Sequence, residues 1–394
     1  MPAMSPCLAV TLVFAAFGVI GGIWVGSIPA IAKRLDLSEQ DFGLVLMAIV
    51  IANVAAFVGG GQLARWVSGR YIMMAMLPVA AMTLAAACAS PTLPFFMPAV
   101  LCFSVSHGLI DILMNAEGSA VETEQQRPLL TGMHATVSFT VAVCALLGSL
   151  ISVTYGPFAT SPLLLAAGFA GAWVVWRGVP NRLTTAVNQP SAAAPGSPAS
   201  LWLIVLGLAA GLALAGELVT LFWSAKLLDS EAPSLAAIAG IGTSFLCGCV
   251  AVARLFGDRI RGRFGDRSVV LGSLAVTALG MISMAATSGF ALHVAAFAVI
   301  GFGSAYLVPC LFSIVANSDP SARAARIGLL LLIGAPFRIG SPYVFGWLAQ
   351  QYSPALAFGA LSLAMIAAGG LFAVSQMLMA PRSTSPVASR QPLA

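Results

Sequence analysis

CLAVTLVFAAFGVIGGIWVGSIPAIA, residues 7–32, carries no charged side chain. At about 1.5 Å of rise per residue it is long enough as a helix to cross the ~30 Å apolar core of a bilayer. Eleven stretches of the same kind follow, near 43–64, 71–90, 95–116, 132–154, 161–177, 200–222, 234–256, 268–287, 290–316, 327–348 and 354–377. The pattern predicts an all-α membrane protein of twelve transmembrane helices. The first stretch reads as a span and not as a cleaved leader. It is too long for a signal core, and it runs into Gly26–Pro29 with no small-residue cleavage site.

Charged residues make up 8% of the chain against 59% hydrophobic, so no segment is polar enough for a soluble domain. The net charge of +5 comes from short loops and not from one basic face, which argues against nucleic acid. The seven cysteines all fall in apolar stretches, where they act as small apolar filler and imply no metal site. No Gly-x-x-x-x-Gly-Lys-Ser/Thr loop is present, and no cofactor is expected.

A Pro/Ala/Ser-rich segment between Arg177 and Ser200 divides the chain. The expected organisation is a six-helix bundle over 1–178, a linker over 179–199, a second six-helix bundle over 200–378 and a tail over 379–394. Fourteen arginines fall on the linker side of the spans, whereas Lys33, Arg34 and Lys226 fall on the other side. By the positive-inside rule both termini are cytoplasmic. The halves also repeat: the basic loop Gly61–Arg70 after span two has a counterpart in Gly257–Arg267 after span eight.

Ionisable side chains in mid-membrane are costly, so they mark function. His107, Asp111 and Asn115 follow one another at i, i+4 and i+8 and line one helix face. A carboxylate facing a cavity there can take up and release a proton as access alternates; the other reading is an Asp locked to a neighbouring helix. Glu217, followed by Thr220 and Ser224, forms a second polar face. It either serves proton coupling and solute binding or pairs with Arg338 as a strut. Arg338 sits in Gly334-Ala335-Pro336-Phe337-Arg338-Ile339-Gly340-Ser341-Pro342, where the prolines and glycines are expected to weaken the helix and free carbonyls beside a wet cavity. Glu117 and His134 are placed near the cytoplasmic ends of spans four and five, as gate residues or helix-end hydrogen bonds. His293 is placed at an interface.

Gly22–Pro29, Asp111–Asn115, Met133-His134-Ala135, Glu217 with Trp223-Ser224, and Arg254–Arg259, in that order within twelve spans, resemble the MosC/YbjJ-like branch of the major facilitator superfamily. That branch is distantly similar to fucose permeases. The resemblance implies two six-helix bundles related as inverted repeats, and Asp111 at the position of an acidic residue that couples protons to sugar. It also implies Trp24 and Trp223 as aromatic partners of a solute ring, and Arg254, Asp258 and Arg259 as an inner gate. Departures are present too. Ser27 stands where the branch usually has Arg, Phe222 where it has Asp, and Arg65 where an Asp is usual, which reads as the loss of one salt bridge and of one gate copy.

The reading is a secondary active transporter in a bacterial inner membrane, monomeric and lipid-embedded. Protons and a small sugar- or cyclitol-like solute would be its partners. Asp111 and Glu217 would couple protons, while Trp24, His107, Asn115, Trp223 and Arg338 would bind solute. Glu117, His134, Arg254, Asp258 and Arg259 would gate. The alternatives are a proton-antiporting efflux pump for amphipathic compounds and a non-transporting sensor or assembly partner; an enzyme is not expected.

Overall fold

The structure is a computed structural model describing residues 4–127, 129–181, 200–319 and 323–379. Most of the expected linker, with Arg182, and most of the tail, with Arg382 and Arg390, lie outside the described residues. Among the described residues every regular element is helical. In chain order the helices are α1 (Pro6–Arg34), α2 (Glu39–Leu63), α3 (Gly69–Ala89), α4 (Leu93–Gln125), α5 (Leu130–Tyr155), α6 (Ser161–Gly178), α7 (Leu201–Glu231), α8 (Ile241–Leu255), α9 (Gly257–Ala286), α10 (Phe290–Ser304), α11 (Leu307–Ser318), α12 (Arg323–Gln351) and α13 (Pro354–Met379). They supply twelve segments long and apolar enough to cross a membrane, the tenth shared by α10 and α11. The start of α1, the end of α6 and the start of α7 share one face, called here the linker end; the opposite face is the far end.

The packing of the first six spans recurs in the last six. α1 lies on α5 and α6, α3 on α4 and α6, and α2 on α4; correspondingly α7 lies on α12 and α13, α9 on α10 and α13, and α8 on α10. The halves meet along α5–α8 and α2–α12, with α1 touching α7. Lipid tails are as apolar as leucine, so helix association in a bilayer depends on close van der Waals approach, and small residues permit it. Gly18, Gly22 and Gly26 form a row on α1, and a Cβ on any of them would come within 3 Å of α5 atoms. Gly148 of α5 returns the contact against Ile23. The equivalent pair, α7 and α12, is joined the same way, with Gly211 against Gly334.

Several helices outrun the expected spans. α4 continues for 33 residues, about 50 Å, so it stands some 20 Å proud of a bilayer core. Gln126, at φ 53, closes it in the left-handed conformation, and Glu122 turns back to accept from the Leu129 and Leu130 amides at 2.7 and 2.8 Å, capping α5. Glu117 is therefore inside a helix and 4% exposed, not beside water at a helix end as its position in the sequence suggests. α7 runs on to Glu231, which places Trp223 and Lys226 within the helix. The expected loop after span eight is itself helical: α9 begins at Gly257 and kinks at Gly265, whose φ of 74° suits glycine.

Prolines shape two more helices without ending them. α12 is continuous through Pro336 and Pro342, contrary to the expected weakening, and Ser341 Oγ lies 3.4 Å from the Arg338 carbonyl that Pro342 leaves without its helical donor. Pro309 similarly strips the Ala305 carbonyl where α10 gives way to α11; Arg254 Nε donates to it at 3.4 Å. His293 is corrected as well. It is fully buried, with Nε2 3.0 and 3.1 Å from the Met284 and Thr287 carbonyls and Nδ1 2.7 Å from Glu231, so it ties α10 to the far ends of α9 and α7.

The glycine row makes a direct prediction. A Cβ at Gly26 would meet the Ala145 carbonyl at 2.0 Å, whereas one at Gly132 meets nothing within 4 Å. Gly26→Ala is expected to cost about 1–3 kcal/mol by overpacking, and Gly132→Ala to be neutral or mildly stabilising. Thermal unfolding of the purified protein in detergent, followed by circular dichroism, checks both; equal melting curves would refute the account.

Candidate functional site

Asp111 and Asn115 project from the middle of α4, both partly exposed. Asn115 Nδ2 donates to Asp111 Oδ1 at 2.8 Å and to the Asp111 carbonyl at 2.9 Å, so the carboxylate is steadied by its own helix and not locked to a neighbour. One turn earlier, His107 stacks on Phe17 of α1 at 3.8 Å between centroids. Its Nε2 is buried without a hydrogen-bond partner and points to where Gly21 lacks a Cβ, 3.5 Å away.

From the other half, α12 brings Arg338 and α7 brings Glu217. Arg338 interacts electrostatically with both Glu217 and Asp111, and Arg254 of α8 reaches the field of Glu217. Among the described residues no direct ion pair within 4.0 Å joins Arg338 to either carboxylate, so the strut between Glu217 and Arg338 is not formed in this conformation. The polar face expected beyond Glu217 is also not built. Thr220 turns its hydroxyl to the Gly216 carbonyl at 2.7 Å, and Ser224 pairs with Thr243 of α8 at 2.7 Å. Both are helix-packing contacts, leaving Glu217 as the polar group of that stretch.

The aromatic candidates are corrected by their surroundings. Trp24 is 4% exposed and packs between Phe96 and Phe103. Trp223 is fully buried between Phe42 and Phe345, and its indole N–H donates to Glu39 Oε2 at 3.0 Å. Neither offers a free ring face to a solute in this conformation. Ser27 is fully buried with its hydroxyl unpartnered, and Phe222 is buried as well.

The gate candidates divide. Arg254 crosses the halves, donating from Nη1 to Ser138 of α5 at 3.1 Å, and lies in the electrostatic range of His134. His134 meets Phe14 edge-on at 5.4 Å. Asp258 and Arg259, in the first turn of α9, are exposed and reach no residue of the other half among the described residues.

At the far end the halves are joined by a cluster centred on Glu39, a residue that the sequence did not single out. Glu39, the first residue of α2, forms an ion pair with Lys226 of α7, accepts from Trp223, and donates its backbone N–H to Gln350 Oε1 of α12 at 3.1 Å. Gln40 Nε2 lies 3.4 Å from the Tyr343 hydroxyl. Beneath them Gly43 and Gly346 let the α2 and α12 backbones touch; a Cβ on Gly346 would fall 2.4 Å from the Glu39 carbonyl. On the other seam the Gly240 amide donates to Ser149 Oγ at 3.1 Å. The available clues were Ser38 placed to cap α2, with Glu39 in its first turn, and Lys226 as a lone cation in an apolar stretch.

Comparison with known proteins agrees with this architecture. The model of the Major Facilitator Superfamily matches residues 11–327. An uncharacterized MFS-type transporter of Yersinia pestis is 25% identical over 374 residues, which cover 93% of this chain and 94% of its own. Membrane protein MosC of Rhizobium meliloti is 22% identical over 371 residues, covering 94% and 89%. Among solved structures, the nucleoside transporter NupG superposes with a TM-score of 0.72 at 17% identity, covering 95% of this chain and 99% of NupG. The E. coli fucose:proton symporter FucP gives 0.60 at 13%, covering 94% and 98%. Identities this low establish the shared fold, while the family match over most of the chain establishes descent. This is a transporter and not an enzyme, and the chain belongs to the Major Facilitator Superfamily.

Proposed function

We propose that the protein is a proton-coupled secondary carrier of a small polar, sugar- or cyclitol-like solute, working by alternating access in a bacterial inner membrane with both termini cytoplasmic. The observation that carries the reading is one guanidinium, Arg338, that interacts electrostatically with a carboxylate of its own half, Glu217, and with a carboxylate of the other, Asp111. When the halves rock, Glu217 travels with Arg338, whereas Asp111 does not. Asp111 gives up its proton when Arg338 approaches and regains one when Arg338 withdraws. Asn115 and Arg338 supply an amide and a planar donor fork, a pair suited to a hydroxylated solute, with His107 packed behind them on α4. The names of FucP and NupG, a fucose:proton symporter and a nucleoside transporter, fit the same solute class.

The division into bundles over 1–178 and 200–378, joined by a linker over 179–199 and followed by a tail from 379, belongs to this proposal, as does function as a monomer. On this reading the contacts of Glu39 with Lys226, Trp223 and Gln350 latch the far end, and Asp258 and Arg259, which meet no residue of the other half among the described residues, would engage as a gate only in another conformation. Glu117 of α4 and His134 of α5 belong to the same proposal as gate residues.

Two measurements test the proposal. In proteoliposomes loaded with a pH-sensitive dye, one of a panel of inositols, amino-inositols, hexoses and cationic dyes is expected to drive proton movement. Asp111→Asn should cut it about a hundredfold, as loss of a proton-transfer group does. Flux with the cationic dyes alone would instead make it an efflux pump, and undiminished flux in the variant would remove Asp111 from coupling. Separately, Glu39→Gln removes charge-assisted bonds worth about 1.5–3 kcal/mol, which should favour opening at the far end. Spin labels on Asp36→Cys and Ser234→Cys, in a background depleted of other cysteines, should move apart in that variant. An unchanged distance distribution would show that the Glu39 cluster is not the latch.

A further inference from the structure

We infer that the first two turns of α9 form a docking strip for anionic phospholipid headgroups at the linker end of the second half. Downstream of the Gly265 kink, α9 runs for 21 residues to Ala286, about 31 Å, which by itself fills the apolar core. The preceding piece, residues 257–264, therefore lies at headgroup depth. Phe256, Ile260 and Phe264 recur at i, i+4 and i+8: Ile260 packs on the core, while Phe256 and Phe264 are 49% and 58% exposed beside Leu255 at 73%. Arg259 and Arg263 repeat at i+4 on the adjacent row, and Arg267 follows just past the kink, all three exposed. An exposed apolar row beside a cationic row is the pattern of a helix lying in the membrane interface.

The acidic residues nearby do not cancel this charge. Asp266 is occupied by Arg261, which bridges the kink with Nε–Oδ1 at 2.8 Å and Nη2–Oδ2 at 3.3 Å, so Asp258 is the one acidic residue of α9 left to offset Arg259, Arg263 and Arg267. Arg263 also sits 5.4 Å from the Phe264 ring centroid, keeping its fork at the level of the aromatic ring. The counterpart in the first half lacks the strip. There the chain turns without a helix from Ala64 to Ser68, Arg70 donates to the Trp176 carbonyl at 2.6 Å, and Arg65 is left exposed. The proposed occupant is a phosphodiester headgroup bearing net negative charge, held by guanidinium forks while its acyl chains lie against Phe256 and Phe264. The inference is independent of the solute and of proton coupling.

Native mass spectrometry of the detergent-purified protein, with equimolar phosphatidylglycerol and phosphatidylcholine added, tests it. Wild type should retain phosphatidylglycerol preferentially, and each arginine removed from the Arg263→Gln, Arg267→Gln pair should lower that preference about fivefold. The paired Arg263→Lys, Arg267→Lys variant should keep most of it, separating lost charge from lost folding. Arg65→Gln should leave it unchanged. No preference in wild type, an undiminished preference in the glutamine pair, or an equal loss with Arg65→Gln would overturn the proposal, the last by showing diffuse attraction without a site.

Discussion

Close backbone approach at glycine is the contact on which the rest of this molecule depends. With no hydrophobic drive between helices in lipid, each half is held by the surfaces that can come nearest, and the Gly18–Gly22–Gly26 row on α5 and the Gly211–Gly334 contact of α7 with α12 are such surfaces. These contacts lie within each half. They fix Glu217 and Arg338 on one rigid body and seat α1 against α5 beside the α4 stripe. Between the halves, glycine contacts occur at Gly43, Gly346 and Gly240, toward the far end. A molecule packed this way has two stiff units and a seam whose polar contacts can be exchanged.

The seam explains why the far-end pair takes the form it does. The resemblance to the MosC/YbjJ-like branch led to the expectation of a lost ion pair, with Ser27 and Phe222 where charges are usual. In the structure those two side chains are buried, and an ion pair across the halves exists elsewhere, between Glu39 and Lys226, both side chains below one-fifth exposed. Partial burial strengthens such a pair relative to a surface one, and the indole of Trp223 and the amide of Gln350 occupy neighbouring hydrogen-bonding positions. Trp223 is thereby packed and hydrogen-bonded into the seam between the halves, which no local spacing reveals.

The span count and the repeat were legible because hydropathy reports where lipid is, and that signal is strong in every span. Helix ends were not, because a helix continues past the apolar run wherever its backbone is satisfied, as it does from Glu117 to Gln125, from Trp223 to Glu231 and from Gly257 to Phe264. The charged triad could be named residue by residue from its cost in the membrane. Its geometry could not, since Asp111 and Arg338 are 227 positions apart in the chain. Contacts made by ordinary loop-edge residues such as Glu39 left no mark in composition at all. Thr220 and Ser224 misled for the opposite reason: their periodicity with Glu217 is real, but hydroxyls in helices satisfy themselves against backbone and neighbours.

Buried titratable groups in this chain can be sorted by one criterion, whether their partner moves with them. His293 faces two carbonyls with Nε2 and Glu231 with Nδ1, and all of these groups belong to the second half. Arg261 and Asp266 likewise share one helix. A rigid-body motion of one half against the other would leave such pairs unchanged, so they stabilise a half and nothing more. Asp111 differs because the cation in its field belongs to the other half, and Glu39 differs because its partners Lys226, Trp223 and Gln350 do. Only groups of this second kind can convert a rigid-body motion into a change of charge or of closure, which is why the structure directs attention to Asp111 at the centre and Glu39 at the far end, and away from the more deeply buried His293.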